Sequence, residues 1–134
     1  MFSYCLLAED IRIEQNGKST LVGFLGLSPF VQLGVPFPDQ PIPQISFLFM
    51  TGEPVPPGRY SIRLTITDPV GQMVTLPTDK EMTTDRRAPL GVIFQAQGLQ
   101  LRGVGKYGLA LTINGEPDLQ GTFTVTQGIP GTGS

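Results

Sequence analysis

Glycine and proline punctuate this chain so densely that long helices have no room to form. The 134 residues include 17 glycines and 13 prolines, and the longest stretches free of both are Met1–Asn16 and Thr78–Ala88. In a helix interior glycine costs about 1 kcal/mol and proline about 3, so a helical bundle is excluded. Between the breaks, apolar residues recur at every second position. Tyr60, Ile62, Leu64 and Ile66 alternate with Ser61, Arg63, Thr65 and Thr67. Tyr107, Leu109, Leu111 and Ile113 alternate with Gly108, Ala110, Thr112 and Asn114. Phe123 and Val125 lie between Thr122, Thr124 and Thr126. Period two is the mark of a half-buried strand. Ile45, Phe47 and Phe49 alternate with Ser46, Leu48 and Met50, which predicts a strand buried on both faces. Further strands are expected at Phe2–Ala8, Ile11–Glu14, Thr20–Phe24, Gln72–Leu76, Leu90–Ala96 and Leu99–Arg102.

Turn residues fall between these runs where hairpins need them. Asn16-Gly17 separates Ile11–Glu14 from Thr20–Phe24, a pair suited to a type I′ turn. Asp68-Pro69-Val70-Gly71 and Asn114-Gly115 follow the Tyr60 and Tyr107 strands. Strand and turn at this spacing predict an all-β chain: a single antiparallel β-sandwich, Ig-like or related, of about eight to ten short strands. Met1–Asn16 reads as strand because its aromatic and β-branched residues outweigh a weak helical stripe (Phe2, Leu6, Ile13). Thr78–Ala88 carries only Met82 as an interior apolar residue, so it has no stripe to bury. Thr78-x-x-Glu81 fits a capping box, and at most one short helical turn is expected near 78–88. The sandwich is expected to span 1–127, with 128–134 a flexible Gly/Thr-rich tail.

Composition narrows the function classes. The chain has no histidine and one cysteine, Cys5. Ser-His-Asp and Cys-His catalysis and every His-ligated metal site are therefore out of reach, and no internal disulfide can form. Nine basic residues stand against eleven acidic, for a net charge of −2, and no basic run exceeds Arg86-Arg87. That is no footprint for a phosphate backbone, so a nucleic-acid partner is not expected. The apolar run at Phe2–Ala8 is followed by Glu9-Asp10 and preceded by no basic residue, unlike a secretory signal. No apolar run nears the ~20 residues of a membrane span. No membrane partner is expected, and the free thiol fits a cytoplasmic protein.

Two phosphate-binding patterns are decoys. Gly17-Lys18-Ser19-Thr20 lacks the glycine five residues before Gly17, where Arg12 stands, and it leads into an expected strand. Gly103-x-Gly105-x-x-Gly108 has dinucleotide spacing but precedes the Tyr107 strand, so no helix N-terminus faces a phosphate. No cofactor is implied. Gly58-Arg59-Tyr60 and Gly105-Lys106-Tyr107 open two matching strands. A duplicated ligand hairpin is one reading. The plainer one puts each ring in the core and each hydroxyl on nearby backbone.

Two candidate sites remain. Leu27–Gln44 carries five prolines with Phe30, Val31, Leu33, Val35 and Phe37, and only Asp39 is charged. Proline removes backbone donors, so the segment is expected to be extended, ordered and off the central sheet. Its apolar residues then either cover a core edge or meet a partner, which makes Phe30, Val31, Leu33, Val35 and Phe37 the candidate partner surface. A polar cluster of Glu9, Asp10, Arg12 and Lys18, with Glu14, is the second candidate. Like Asp79, Glu81 and Asp85 near Lys80, Arg86 and Arg87, it carries its own neutralising charge and reads as solvated ion pairs. No catalytic or metal-ligating residue stands out.

Ala8-Glu9-Asp10-Ile11-Arg12-x-Glu14-x-x-Gly17-Lys18-x-x-Leu21-Val22-Gly23 resembles the start of small uncharacterised bacterial proteins that share a domain of unknown function. Gly58-x-Tyr60-x-Ile62-x-Leu64 to Asp68-Pro69-x-Gly71 is similar to the central hairpin of those proteins. The resemblance covers about half the chain and implies an all-β fold and a bacterial source, with no substrate. Residues and resemblance together point to a non-enzymatic binding or assembly module with a protein partner, self or other. Alternatives are a structural subunit of a virion or similar assembly, for which Gln127–Ser134 is the arm, and a small-molecule or carbohydrate-binding sandwich. The last is disfavoured by three tyrosines and no tryptophan.

Overall fold

The computed structural model describes residues 1–13, 19–28, 31–35, 42–74, 78–101 and 103–127. Among them are nine strands and no helix: β1 (Phe2–Ile13), β2 (Ser19–Leu27), β3 (Gln32–Val35), β4 (Ile42–Thr51), β5 (Gly58–Thr67), β6 (Thr78–Thr84), β7 (Gly91–Leu99), β8 (Gly105–Ile113) and β9 (Glu116–Gln127). They form two sheets, β2-β1-β4-β7 and β3-β9-β8-β5-β6, packed face to face as a β-sandwich.

The core is the set of alternate positions read from the sequence. Cys5, Leu7, Ile45, Phe47, Phe49, Val92 and Phe94 face inward from the first sheet. Ile62, Leu64, Ile66, Tyr107, Leu109, Leu111, Phe123 and Val125 face them from the second. Phe47 and Phe123 meet across the layers with ring centroids 6.2 Å apart, and Phe123 stacks on Tyr107 at 5.3 Å. Each such buried ring contributes roughly 1.5–3 kcal/mol by leaving water. Cys5 is an unpaired, buried thiol, packed as a small hydrophobe.

The turns follow their residues. Asn114 (φ 51°) and Gly115 (φ 84°) join β8 to β9 with both positions left-handed, as a type I′ turn requires. Asn114 also extends the sheet sideways: its N–H donates to Ser61 O, and its side-chain oxygen accepts from Ser61 N–H. After β5, the buried Asp68 carboxylate accepts from the N–H groups of Val70 and Gln72. The Asn16-Gly17 turn lies outside the described residues, though Ile13 pairs with Ser19 on either side of it. The tail 128–134 lies outside them as well.

Four expectations are corrected. Phe2–Ala8 and Ile11–Glu14 merge into β1, whose backbone pairs with β2 through Ile13. Gln72–Leu76 makes a single bridge, Thr67 to Met73, within its described part. In the segment near 78–88, Thr78–Thr84 forms a strand, not a helical turn: it pairs antiparallel with β5 from Leu64↔Thr78 to Gly58↔Thr84, and its charges find cross-strand partners. Arg63 Nε and Nη2 donate to the two oxygens of Asp79 at 2.6 and 3.0 Å, and Arg59 pairs with Glu81 at 2.7 Å. The same alternation turns Met82 onto the core and Lys80 over the Phe94 ring. Finally, part of the proline-rich segment joins a sheet after all: β3 lies parallel to β9, with Leu33 beside Val125. Proline is absent from Gln32–Val35, so every position of β3 keeps its backbone donor.

Candidate functional site: the outer face of the first sheet

β-Strands with apolar residues on both sides must hide two faces, and a sandwich hides only one. In β1, β4 and β7 the inward set forms the core, yet at one end of the sheet the outward set is apolar too, while Asp10, Gln44, Ser46, Gln95 and Gln97 occupy the other end. Leu6 pairs with Leu48 and with Leu27, Tyr4 with Met50, and Leu48 with Ile93. None of these six belongs to the core cluster. A methyl group built on Gly91 would come within 2.9 Å of Met50 Sδ, so Met50 lies across the outward side of β7. Tyr4 and Leu27 are 41% and 45% exposed, while Leu6, Leu48, Met50 and Ile93 are half-buried by one another. The expectation that β4 is covered on both faces therefore fails at Leu48 and Met50.

A polar bridge bounds this patch. Gln95 Nε2 donates to Asp10 Oδ1 at 2.9 Å, spanning β4 from β7 to β1. Ser46, paired with both Ala8 and Gln95, is fully buried, and its hydroxyl has no hydrogen-bond partner. The outer face of the second sheet is different in kind. It carries the Arg59–Glu81 and Arg63–Asp79 pairs, exposed Lys106, and Thr122, Thr124 and Thr126. The guanidinium of Arg63 holds the Asp79 carboxyl below its ordinary value, and that hydrogen bond raises Arg63 in return.

The described residues include only part of each sequence-derived site. Val31 and Leu33 are buried in the core of their own chain, 0% and 7% exposed, so they offer nothing to a partner. Leu33 turns inward because β3 is a sheet strand with period two, and Val31 lies just before it. Phe30 and Phe37 lie outside the described residues, and of Val35 only the backbone, in β3, is described. In the polar cluster, neighbouring positions on β1 send Glu9 and Asp10 to opposite faces, and Asp10 meets Gln95. Lys18 lies outside the described residues, as does the side chain of Arg12.

Cavities open on the described surface. One of about 550 Å³ lies where Tyr4 and Ser28 approach Leu119–Thr122 of β9. Another, about 300 Å³, has Phe47, Leu64 and Phe94 as its floor and Gln95, Gln97 and Gln100 at its rim. Among the described residues no group of three or more Cys, Asp or Glu converges as a metal site, and no helix is long and apolar enough to cross a membrane. The sequence signal that would have found the apolar patch was present: Tyr4, Leu6, Leu48 and Met50 stand out of phase with the core residues beside them.

The chain belongs to a family of unknown function, DUF6941, whose model matches residues 3–126. A search of curated proteins finds no match.

Proposed function

We propose that this DUF6941 member is a non-enzymatic binding and assembly module that meets a protein partner, self or other, through the outer face of β2-β1-β4-β7. One observation carries the reading: the two outer faces of the same sandwich differ, one charged and threonine-rich, the other carrying at one end an apolar patch of Tyr4, Leu6, Leu27, Leu48, Met50 and Ile93. Folding already hides the core, so an apolar surface of this kind gains nothing from the fold itself. It gains from being covered by another surface. The same reading places the chain in the cytoplasm of a bacterium, supported by its buried unpaired thiol and by the resemblance of its opening segment to bacterial proteins.

The test replaces Leu6 and Leu48 together with serine, and measures retention on an apolar matrix, mass in solution and thermal midpoint. Lower retention with reduced association, and a midpoint close to that of the parent chain, supports a contact face. A midpoint that falls as far as for a core truncation, with association unchanged, overturns it.

A further inference from the structure

β7 ends the first sheet, paired with β4 along one side only among the described residues. Thr51 N–H donates to Leu90 O, which sets the alternation that follows. Val92, Phe94 and Ala96 direct their N–H and C=O groups at β4, whereas Gly91, Ile93, Gln95 and Gln97 direct theirs away from it. Such an open row is a template for a further strand.

The other three edges carry features that discourage pairing. β6 holds Asp79, Lys80 and Glu81. β3 is four residues long. β2 is broken by Gly23 and Gly26, both at positive φ, and by a register shift against β1. β7 has none of these over Gly91–Gln97: no charge, no proline, no shift in register.

We propose that β7 pairs antiparallel with β7 of a second copy of this chain across a two-fold axis, joining two four-stranded sheets into one continuous sheet. Charge selects this occupant. A two-fold pairing sets a strand against itself, so any charge near its centre faces its own sign at close range. β7 carries no charge and incurs no such repulsion, and it offers no charge by which an acidic or basic foreign strand would be chosen. The axis stands perpendicular to the sheet, so the outer faces of both copies lie on one side. Strand pairing uses main-chain groups and the proposed contact face uses side chains, so the inference stands independently of that reading.

The edge is tested with Gln97→Pro, which removes one outward N–H and leaves the β4 ladder and the apolar patch intact, and with Gln97→Ala, which keeps the N–H. Sedimentation over a range of concentrations should show the parent chain and Gln97→Ala reaching twice the 14.4 kDa chain mass. Gln97→Pro should raise the dissociation constant by about tenfold or more. In the parent chain the Ile93 and Gln95 amides should exchange slowly when concentrated and fast when dilute, a measurement that decides the matter even if Gln97→Pro does not fold. A parent chain that stays at 14.4 kDa at every concentration overturns the proposal. So does a dimer whose Ile93 and Gln95 amides exchange freely. If Leu6→Ser with Leu48→Ser dissociates such a dimer, the contact lies on the face and the proposed function survives without the edge.

Discussion

Tyr60 and Tyr107 stand at the same place on neighbouring antiparallel strands and make the same bond: each hydroxyl donates to the carbonyl oxygen four residues upstream, of Pro56 and of Gly103. The repeated Gly-basic-Tyr segment is thus a repeated way of tying a strand to the loop that feeds it. The two differ in burial: the Tyr107 ring is fully enclosed between Phe123 and the facing sheet, and Tyr60 only borders the core. Tyr107→Phe should cost about 1 kcal/mol, the net worth of one such bond, and Tyr107→Ala about 3–5. Tyr60→Phe should cost less than Tyr107→Phe, since water replaces its bond. Denaturant midpoints of the three variants rank them, and an unchanged midpoint for Tyr107→Ala would refute the core assignment.

Ser28 stands in for a strand. Its hydroxyl donates to Thr122 O and accepts from Thr122 N–H, both at 2.9 Å, just before β3 takes over the edge of β9. Ser28→Ala leaves both backbone groups without that partner and should destabilise by about 1–3 kcal/mol. The Thr122 amide should exchange faster in the variant; equal exchange would show that Ser28 does not seal the edge. Gly121 makes the approach feasible, since a methyl group there would come within 2.5 Å of Ser28 Oγ.

Ser46 is a buried hydroxyl with no hydrogen-bond partner among the described residues. Ser46→Ala removes a desolvated polar group at almost constant volume and should raise stability by about 1 kcal/mol. A clear fall in the thermal midpoint would mean that the hydroxyl has a stabilising role.

Burial pushes the Cys5 thiol up to about 12, which makes the folded chain a poor source of thiolate. Alkylating reagents at neutral pH should label it only as fast as the chain unfolds. The sign of the pH dependence follows from the same shift. Between about pH 9 and 12 the unfolded chain loses this proton and the folded chain keeps it, so stability falls as pH rises through that window and is unaffected below it. Cys5→Ala should flatten that alkaline loss; an identical slope in both chains would refute the burial effect.

Alternation was enough to read β4, β5, β8 and the core half of β9 from the residues, because each carries its own period of two. β6 is not legible: Met82 is its one inward apolar residue, and what holds it as a strand is the backbone ladder to β5, with Arg59 and Arg63 facing its carboxylates, none of which shows in the segment itself. β3 was hidden by density of proline, although the prolines flank it and none lies inside. The apolar outer face is hidden for a different reason: nothing in a single strand such as β4 says which of its two faces the second sheet will cover, so Leu48 and Met50 read as core.

The last strand is also the one that the first strands need. Asp118 of β9 accepts the Phe2 N–H of β1, Thr122 receives Ser28, and Leu33 lies beside Val125. During synthesis, then, β1, β2 and β3 emerge well before the strand that borders β3 and holds Phe2 and Ser28. Contacts so distant in sequence form slowly, and a nascent chain halted before β9 has its N-terminal strands made but not sealed. The second sheet has its full strand order only once β9 has emerged.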